Sequence, residues 1–219
     1  MNKTPLLNAS SIQSRLGLCA AALAGTAAVL PSADAVVITF NTPASVPQTF
    51  AGLYINFLTG AVTPSPTGNT GWDFNPYSNA GPFAIYWAGG APGIAGGVTT
   101  GAGSTTYAAL APGSVISAAS NFSNSLQVAS ATSNFLPAGT RILGFRFLNE
   151  ATGATNFGYA TITSSGGTGF PLTIQGWSFE NSGGAITVVP EPSTTAMLTV
   201  AALALGALGV RRWRKAQAA

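Results

Sequence analysis

The chain has 219 residues, of which only 6% are charged, whereas roughly a quarter of the residues in an ordinary soluble domain carry a charge. Hydrophobic residues make up 47% of the chain, which excludes intrinsic disorder, because disordered chains combine low hydrophobicity with high charge. The chain has no histidine and a single cysteine, which excludes a Ser-His-Asp triad, histidine metal ligands, intramolecular disulfides and multi-cysteine zinc sites.

Charge is distributed unevenly along the chain. The net charge of +3 comes from the two ends, since the central region, residues 36–189, carries two arginines against three acidic residues. Proteins that bind nucleic acids need a cationic face that displaces counterions from the phosphates. Two arginines cannot supply such a face, so the charge distribution excludes nucleic acid as a partner.

The N-terminal residues 1–35 have the parts of a secretory signal peptide. Two basic residues precede an apolar run at 16–30, and the helix-breaking Pro31 follows it. Ala33 and Ala35 then supply the small residues that signal peptidase requires before its cleavage site. An amphipathic helix of a cytoplasmic protein is the alternative, but the run has no polar face. We therefore predict a signal helix that signal peptidase removes after Ala35.

Residues 36–188 show a strand–turn–strand pattern with no helical apolar period. Short segments rich in β-branched and aromatic residues are separated by Gly, Pro, Asn and Ser turns. The predicted strands cover residues 36–40, 51–58, 83–87, 114–118, 141–148, 157–163, 172–179 and 185–189. The pattern predicts an all-β domain, an antiparallel two-sheet sandwich of jelly-roll-like form. The Gly/Ala/Ser-rich stretch 89–106 interrupts it and is predicted to be a long surface loop.

Four aromatic residues lie close together in the sequence, between turns that contain Gly and Pro. They are Trp72, Tyr77, Tyr86 and Trp87. Aromatic residues of β-domains usually belong to the core, but rings that share an exposed surface can stack against sugar rings. Both interpretations stay open: core residues, or an aromatic platform that binds extracellular polysaccharide.

Asp73 and Asn75 place oxygen-bearing side chains at alternate positions, as at the start of a calcium-binding loop. The later glycine and bidentate glutamate of such a loop are missing at the required spacing. We therefore expect an Asx-turn in residues 73–77 and no metal ion.

Alternation assigns the faces of the predicted strand at 141–148. Leu143, Phe145 and Phe147 share one face, whereas Arg146 lies on the other, because successive side chains of a strand point to opposite sides. The first face is therefore predicted to belong to the core. The second face is apolar except for its arginine.

Charged residues are so scarce in this region that Arg146 is predicted to form a structural ion pair with Glu150 or Glu180. A binding site for a polar ligand is the alternative, because charges in unusual surroundings often mark sites. Glu150 and Glu180 are also the candidates for a glycosidase carboxylate pair, which needs two such groups across a cleft.

The C-terminal residues 189–219 contain three consecutive parts. Pro190-Glu191-Pro192 comes first, and its two prolines keep the tripeptide extended and outside any sheet or helix. An apolar stretch at 194–210 follows, close to the shortest length that spans a hydrocarbon core. The last part is a group of cations, Arg211, Arg212, Arg214 and Lys215. By the positive-inside rule, this stop-transfer group keeps the tail in the cytoplasm after a single transmembrane helix through the inner membrane.

The tail resembles a PEP-CTERM sorting signal: its motif is Val189, Pro190, Glu191, Pro192 and Ser193, and the apolar span and the basic cluster follow in that order. The resemblance implies recognition by an exosortase, a membrane-embedded enzyme similar to cysteine transpeptidases, and removal of the tail near the motif. It also implies transfer of the protein to the exterior of a Gram-negative bacterium that produces exopolysaccharide. The position of the cut stays open.

We therefore expect a non-enzymatic exported protein, with no catalytic residue, metal or cofactor. Its precursor is anchored transiently in the inner membrane, and the processed protein lies at the cell surface or in the extracellular matrix. Its expected role there is structural or adhesive, within exopolysaccharide or biofilm. The alternative hypothesis is a carbohydrate-binding module whose aromatic platform centres on Trp72 and Trp87.

Overall fold

The computed structural model describes residues 35–78, 81–88, 95–126 and 129–189. The strands in these ranges are β1 (Val37–Phe40), β2 (Ala44–Val46), β3 (Tyr54–Ile55), β4 (Val62–Thr63), β5 (Phe74–Ser78), β6 (Phe83–Trp87), β7 (Gly96–Val98), β8 (Ala109–Leu110), β9 (Val115–Ile116), β10 (Phe122–Ser123), β11 (Gly139–Asn149), β12 (Ala154–Ser164), β13 (Leu172–Glu180) and β14 (Ile186–Thr187). Short 3₁₀ helices cover Pro66–Gly68 and Ala129–Phe135.

Most of the predicted targeting segments lie outside the described residues. These are the signal peptide before Ala35, the sorting motif after Val189, the apolar span at 194–210 and the basic tail at 211–215. Within the described part of the chain, no helix is long and apolar enough to cross a membrane. The compact unit that contains the strands begins at Val36.

Sheet A has eight strands, in the order β1-β13-β12-β11-β7-β10, with β2 also paired to β13 and β8 to β11. Its centre is the hairpin of β11 and β12, which pair along their whole lengths. Asn149 holds the turn of this hairpin: its carbonyl accepts the Gly153 N–H at 2.7 Å, and its Oδ1 accepts the Ala151 N–H at 3.0 Å. Such an Asx arrangement stabilises tight turns.

Sheet B has four strands, in the order β4-β3-β5-β6, and sheet C consists of β14 and β9. Strand pairs in all three sheets are antiparallel. The prediction of an all-β fold built from antiparallel sheets is therefore confirmed. The predicted strands at 51–58, 114–118 and 185–189 are shorter in the structure, where they are reduced to Tyr54–Ile55, Val115–Ile116 and Ile186–Thr187.

Sheets A and B share one hydrophobic core. The predicted faces of β11 are confirmed, since Leu143, Phe145 and Phe147 are fully buried in this core. Phe57, which follows β3, stacks on Phe145, and its carbonyl accepts the indole N–H of Trp177 from β13 at 3.1 Å. One residue of the sheet B side thus contacts sheet A through both its ring and its backbone.

A second hydrophobic cluster lies on the other face of sheet A, beneath sheet C. Ile116 and Ile186, which pair directly across sheet C, belong to this cluster. Gly144 of β11 lies under it, and a Cβ at this position would be 2.7 Å from side-chain atoms of Leu110 and Val98. The missing side chain of Gly144 therefore lets these residues pack closely against sheet A.

The predicted surface loop at 89–106 is wrong over residues 96–98, which form the buried strand β7 between β11 and β10. A Cβ on Gly97 would lie 2.8 Å from the Tyr107 ring and 2.9 Å from the Trp87 ring. Glycine gives these two rings the space they occupy. At Gly97 the glycine therefore marks close packing in a strand, and not a loop.

Candidate functional site

The outer face of sheet B carries aromatic and amide side chains. In the register of β5 and β6, Asn75 lies opposite Tyr86, and Tyr77 lies opposite Ala84. Because side chains alternate between the faces of a strand, these residues point away from the core that the fully buried Phe74 helps to fill. Tyr86 keeps 39% of its surface exposed to solvent.

Trp72 contacts two tyrosines of this face. Its ring centroid lies 5.7 Å from that of Tyr86, with the planes tilted by 37°, and 4.9 Å from that of Tyr54, in an edge-on contact. Asn69 fixes the turn before Trp72: its carbonyl accepts the Trp72 N–H at 3.3 Å, and its side-chain amide donates to the carbonyls of Tyr54 and Ala61. Tyr54, Trp72 and Tyr86 therefore form one aromatic cluster.

A groove of about 430 Å³ lies beside the aromatic cluster. The residues that line this aromatic groove are Phe50, Ala51, Tyr54, Asn75, Tyr77 and Tyr86. Phe50 is 79% exposed, and its ring meets that of Tyr77 edge-on, with the centroids 5.5 Å apart. None of the described lining residues is charged, and burial raises the pKa of the Tyr77 phenol. The aromatic groove is therefore neutral at physiological pH.

Asn75 anchors one side of the aromatic groove. Its side-chain amide donates to the carbonyls of Ala51 at 2.8 Å and Leu53 at 2.7 Å. Between them, Gly52 adopts a φ of +62°, and a Cβ there would lie 2.1 Å from the Pro76 carbonyl oxygen. This approach of segment 51–53 to β5 is open only to glycine, so the local backbone sets the shape of the groove.

The four residues of the predicted platform divide between two faces. Trp72, Tyr77 and Tyr86 lie on the side of the aromatic groove. Trp87 is only 3% exposed in the core and donates its indole N–H to the Tyr107 hydroxyl at 2.9 Å. Tyr86 and Trp87 are consecutive residues of one strand, so they must point to opposite faces. The prediction that Trp87 belongs to the aromatic platform is therefore wrong.

The sequence patterns do not identify Phe50, Tyr54 and Asn75 as groove residues. Tyr54 precedes the fully buried Ile55. Alternation within the predicted strand at 51–58 could therefore have indicated that Tyr54 points outward. Asn75 looks like a turn residue in the sequence. Phe50 reaches the groove only through the folded path of the chain, and no local pattern indicates it.

Asp73 starts neither an Asx-turn nor a calcium loop, because residues 74–78 form strand β5. Asp73 is 4% exposed, and its carboxylate accepts the Phe57 N–H at 2.8 Å. Burial raises the pKa of Asp73 to about 8, against the opposing effect of the Phe57 hydrogen bond and with a further increase from the carboxylate of Glu150. Asp73 is thus a buried acid that titrates near neutral pH.

Arg146 and Glu180 share a face of sheet A without touching. They lie in one row across β11, β12 and β13, with Phe157 between them, so two strand spacings, about 10 Å, separate their backbones. The Glu180 carboxylate accepts the N–H of Ser182 at 2.8 Å and that of Gly184. The predicted ion pair of Arg146, with either Glu180 or Glu150, is therefore not formed among the described residues.

Glu150 lies at the turn between β11 and β12, where its Oε1 is 3.0 Å from the position of a Cβ on Gly71. Glu180 is only 2% exposed and its carboxylate is bound within its own turn. The positions of Glu150 and Glu180 therefore do not support a role as glycosidase carboxylates, since two such groups must flank a substrate.

Among the described residues, no group of three or more His, Cys, Asp or Glu side chains is arranged to hold a metal ion. The sequence matches no protein-family model, and no curated protein or solved structure matches it either.

Proposed function

We propose that this chain is an exported surface or matrix protein whose β-domain binds a neutral polysaccharide through the aromatic groove. One observation carries the proposal: the Trp72 ring contacts both the Tyr54 and the Tyr86 ring, and these two tyrosines line an uncharged groove of about 430 Å³. The proposed role is adhesive, in exopolysaccharide or biofilm, and it requires no catalytic residue and no cofactor.

The chemistry of sugars suits such a surface. A sugar ring has apolar C–H faces and a rim of hydroxyl groups, so aromatic rings can cover the faces while tyrosine hydroxyls and amides bind the rim. Tyr86 and Phe50 expose 39% and 79% of their surfaces, and clustered exposed rings often mark binding surfaces. The volume of the groove also falls in the range of ligand sites, roughly 300–1,000 Å³.

We also infer that sheets A and B form a two-sheet sandwich of jelly-roll-like form. Their shared core and the stacked rings of Phe57 and Phe145 support the sandwich. In such a scaffold the inner face of each sheet is filled, and the outer face of sheet B is free to carry a binding surface.

We propose that signal peptidase cuts the precursor after Ala35 and that an exosortase-type transpeptidase processes the motif at 189–193. The order of motif, apolar span and basic tail in the sequence supports this proposal. Val188 is buried, whereas Val189 is 60% exposed, and this exposure at the start of the motif favours access by an enzyme.

Intact mass and terminal sequencing of protein from the surface of the native host test the processing. We expect an N-terminus at Val36 and a C-terminus near Pro190. Protein that ends at Ala219 and stays in the inner membrane would contradict the sorting proposal, while leaving polysaccharide binding to be tested on its own.

Titration calorimetry of the full chain in detergent, with galactomannan and hydroxyethyl cellulose as probes, tests the aromatic groove. We expect Trp72→Ala and Tyr86→Ala each to weaken binding roughly three- to tenfold, because each removes an aromatic contact worth about 0.5–1.5 kcal/mol. Val115→Ala is the control, since Val115 is 60% exposed and lies in sheet C. Equal binding by all variants would refute the proposal.

A further inference from the structure

The guanidinium of Arg146 is partly buried, and no acceptor for it lies among the described residues. Its Cζ lies 4.6 Å from the centroid of the Phe122 ring, and its Nε is sealed from solvent with no hydrogen-bond partner. Burial lowers the pKa of Arg146, because the charge has lost hydration. A cation that is partly desolvated and unpaired is destabilising, and an anion placed beside it offsets part of that free-energy cost.

None of the three acidic residues of the β-domain pairs with Arg146 in the described structure. Asp73 is buried, with its carboxyl bound to the Phe57 N–H. Glu180 is held in its own turn by two backbone N–H groups, with Phe157 between it and the arginine. Glu150 lies beyond the end of β11, next to Gly71. The charge on Arg146 is therefore left for a partner from outside the domain.

Arg141, by contrast, has its acceptors within the domain. Its Nη1 donates to the carbonyls of Pro137 at 2.6 Å and Ala138 at 3.4 Å. The two arginines thus carry the same charge in different surroundings, and Arg141 is a matched control for Arg146.

Phe122, whose ring the Arg146 guanidinium contacts, is also one of the residues that line a neighbouring polar groove of about 430 Å³. The hydroxyl and amide groups of this polar groove belong to Thr99, Ser104, Thr105, Asn121, Ser123 and Ser125. Gly96, which pairs with Arg146, permits the arrangement: a Cβ there would lie 2.8 Å from the Ser123 carbonyl oxygen. Glycine thus brings β10, with Phe122, close to the arginine.

We propose that Arg146 and the polar groove form a second binding site, for a saccharide that carries an anionic group. The guanidinium binds the carboxylate or sulfate of the sugar, as arginine does in charge-assisted pairs. The hydroxyl and amide side chains of the polar groove bind the sugar hydroxyls, as donors or acceptors. This site is independent of the neutral aromatic groove, and each can exist without the other.

Titration calorimetry of the full chain with trigalacturonate, and with its methyl ester, tests the proposal. We expect the acid to bind and the ester to bind at least about tenfold more weakly, the loss expected when a charge-assisted hydrogen bond is removed. Arg146→Gln is expected to weaken binding of the acid by a similar factor, whereas Arg141→Gln leaves it within about twofold. Arg146→Gln should leave galactomannan binding unchanged.

Equal losses from Arg146→Gln and Arg141→Gln would overturn the proposal, because they would indicate general charge attraction. Binding of inorganic sulfate without binding of trigalacturonate or a sulfated trisaccharide would also overturn it, since the site would then be an ion site only. If Arg146→Gln does not fold, NMR of the parent chain supplies the test. The Arg146 Nε–H resonance should shift on addition of trigalacturonate and stay in place with the ester, and a resonance that does not move overturns the proposal.

Discussion

The rings of Phe57 and Phe145 are stacked almost parallel, with their centroids 3.8 Å apart and an angle of 6° between their planes. Phe145 belongs to the central hairpin of sheet A, and Phe57 follows β3 of sheet B. This contact joins the two sheets at the middle of their shared core. It also connects to the aromatic groove, because β3 and β5 carry three of the groove residues, Tyr54, Asn75 and Tyr77, on their outer faces.

Phe145→Ala is expected to lower the free energy of unfolding by about 3–5 kcal/mol, because it opens a cavity where a fully buried ring was packed. Chemical denaturation of the full chain, followed by tryptophan fluorescence, measures the loss. Phe50→Ala is the control, since that ring is 79% exposed and its removal should change stability by no more than about 0.5 kcal/mol. Similar losses for both variants would contradict the described core.

Trp72→Ala and Trp87→Ala are expected to act on different properties. Trp72 touches Tyr54 and Tyr86, so its loss should weaken polysaccharide binding with a small change in stability. Trp87 is buried and hydrogen-bonded to Tyr107, so its loss should lower the free energy of unfolding by about 3–5 kcal/mol. Melting curves and calorimetry on both variants separate the effects, and a Trp87→Ala protein of parental stability would refute its place in the core.

Stability of the domain is expected to fall as the pH rises through the range in which Asp73 titrates. Burial raises the pKa of Asp73 from 3.8 to about 8, so between these values the folded state holds a proton that the unfolded state has released. The stabilisation by protonated Asp73 is complete below the unfolded pKa and is lost as the pH passes the folded one.

Urea unfolding at a series of pH values measures this slope. Asp73→Asn should remove most of it, since the amide does not titrate but can still accept the Phe57 N–H. Glu150→Gln should keep most of it, because desolvation of Asp73 is the larger cause of the shift and Glu150 a smaller one. A parent protein whose stability is constant in this range would contradict the assignment.

Gly97→Ala is expected to destabilise the domain by about 1–3 kcal/mol, the usual cost of overpacking a core. The new methyl group would lie 2.8 Å from the Tyr107 ring and 2.9 Å from the Trp87 ring, and these rings cannot easily move. Gly101→Ala is the matched control, because a Cβ at Gly101 meets nothing within 4 Å. Thermal melts compare the two variants, and equal midpoints would show that β7 does not pack as described.

The sequence predicts the long strands well, because their alternation extends over many residues. The bounds of β6 agree with the prediction, and β11 and β13 extend it by only one or two residues at an end. β5 and β7 were not predictable in this way. Pro76 and Asn75 in β5 and the glycines of β7 resemble turn residues locally, and only their neighbours in the folded protein make them strand residues.

The aromatic groove is predictable only in part, because some of its residues depend on contacts that form only in the folded protein. Tyr77 and Tyr86 of the groove, and Trp72 beside it, are suggested by their closeness in sequence, although the face of each ring depends on strand register. The position of Trp87 follows from its adjacency to Tyr86. The contribution of Phe50 depends on the path of segment 51–53. Gly52 lets this segment approach β5, and the side chain of Asn75 in β5 holds it there by hydrogen bonds.

Sheet C lies at the C-terminal end of the described chain. After Ile186 pairs with β9, Val188 donates its N–H to the Ser114 carbonyl at 2.8 Å, and its own carbonyl accepts the Gly113 N–H at 2.8 Å. Mechanical tension applied to the chain beyond Val189 acts first on this short run of hydrogen bonds. β14 would therefore separate from β9, and from the face of sheet A that it covers, before the long strands of sheet A separate from one another. Under such tension the domain would unfold first at its C-terminal end, while sheet B and the aromatic groove keep their structure.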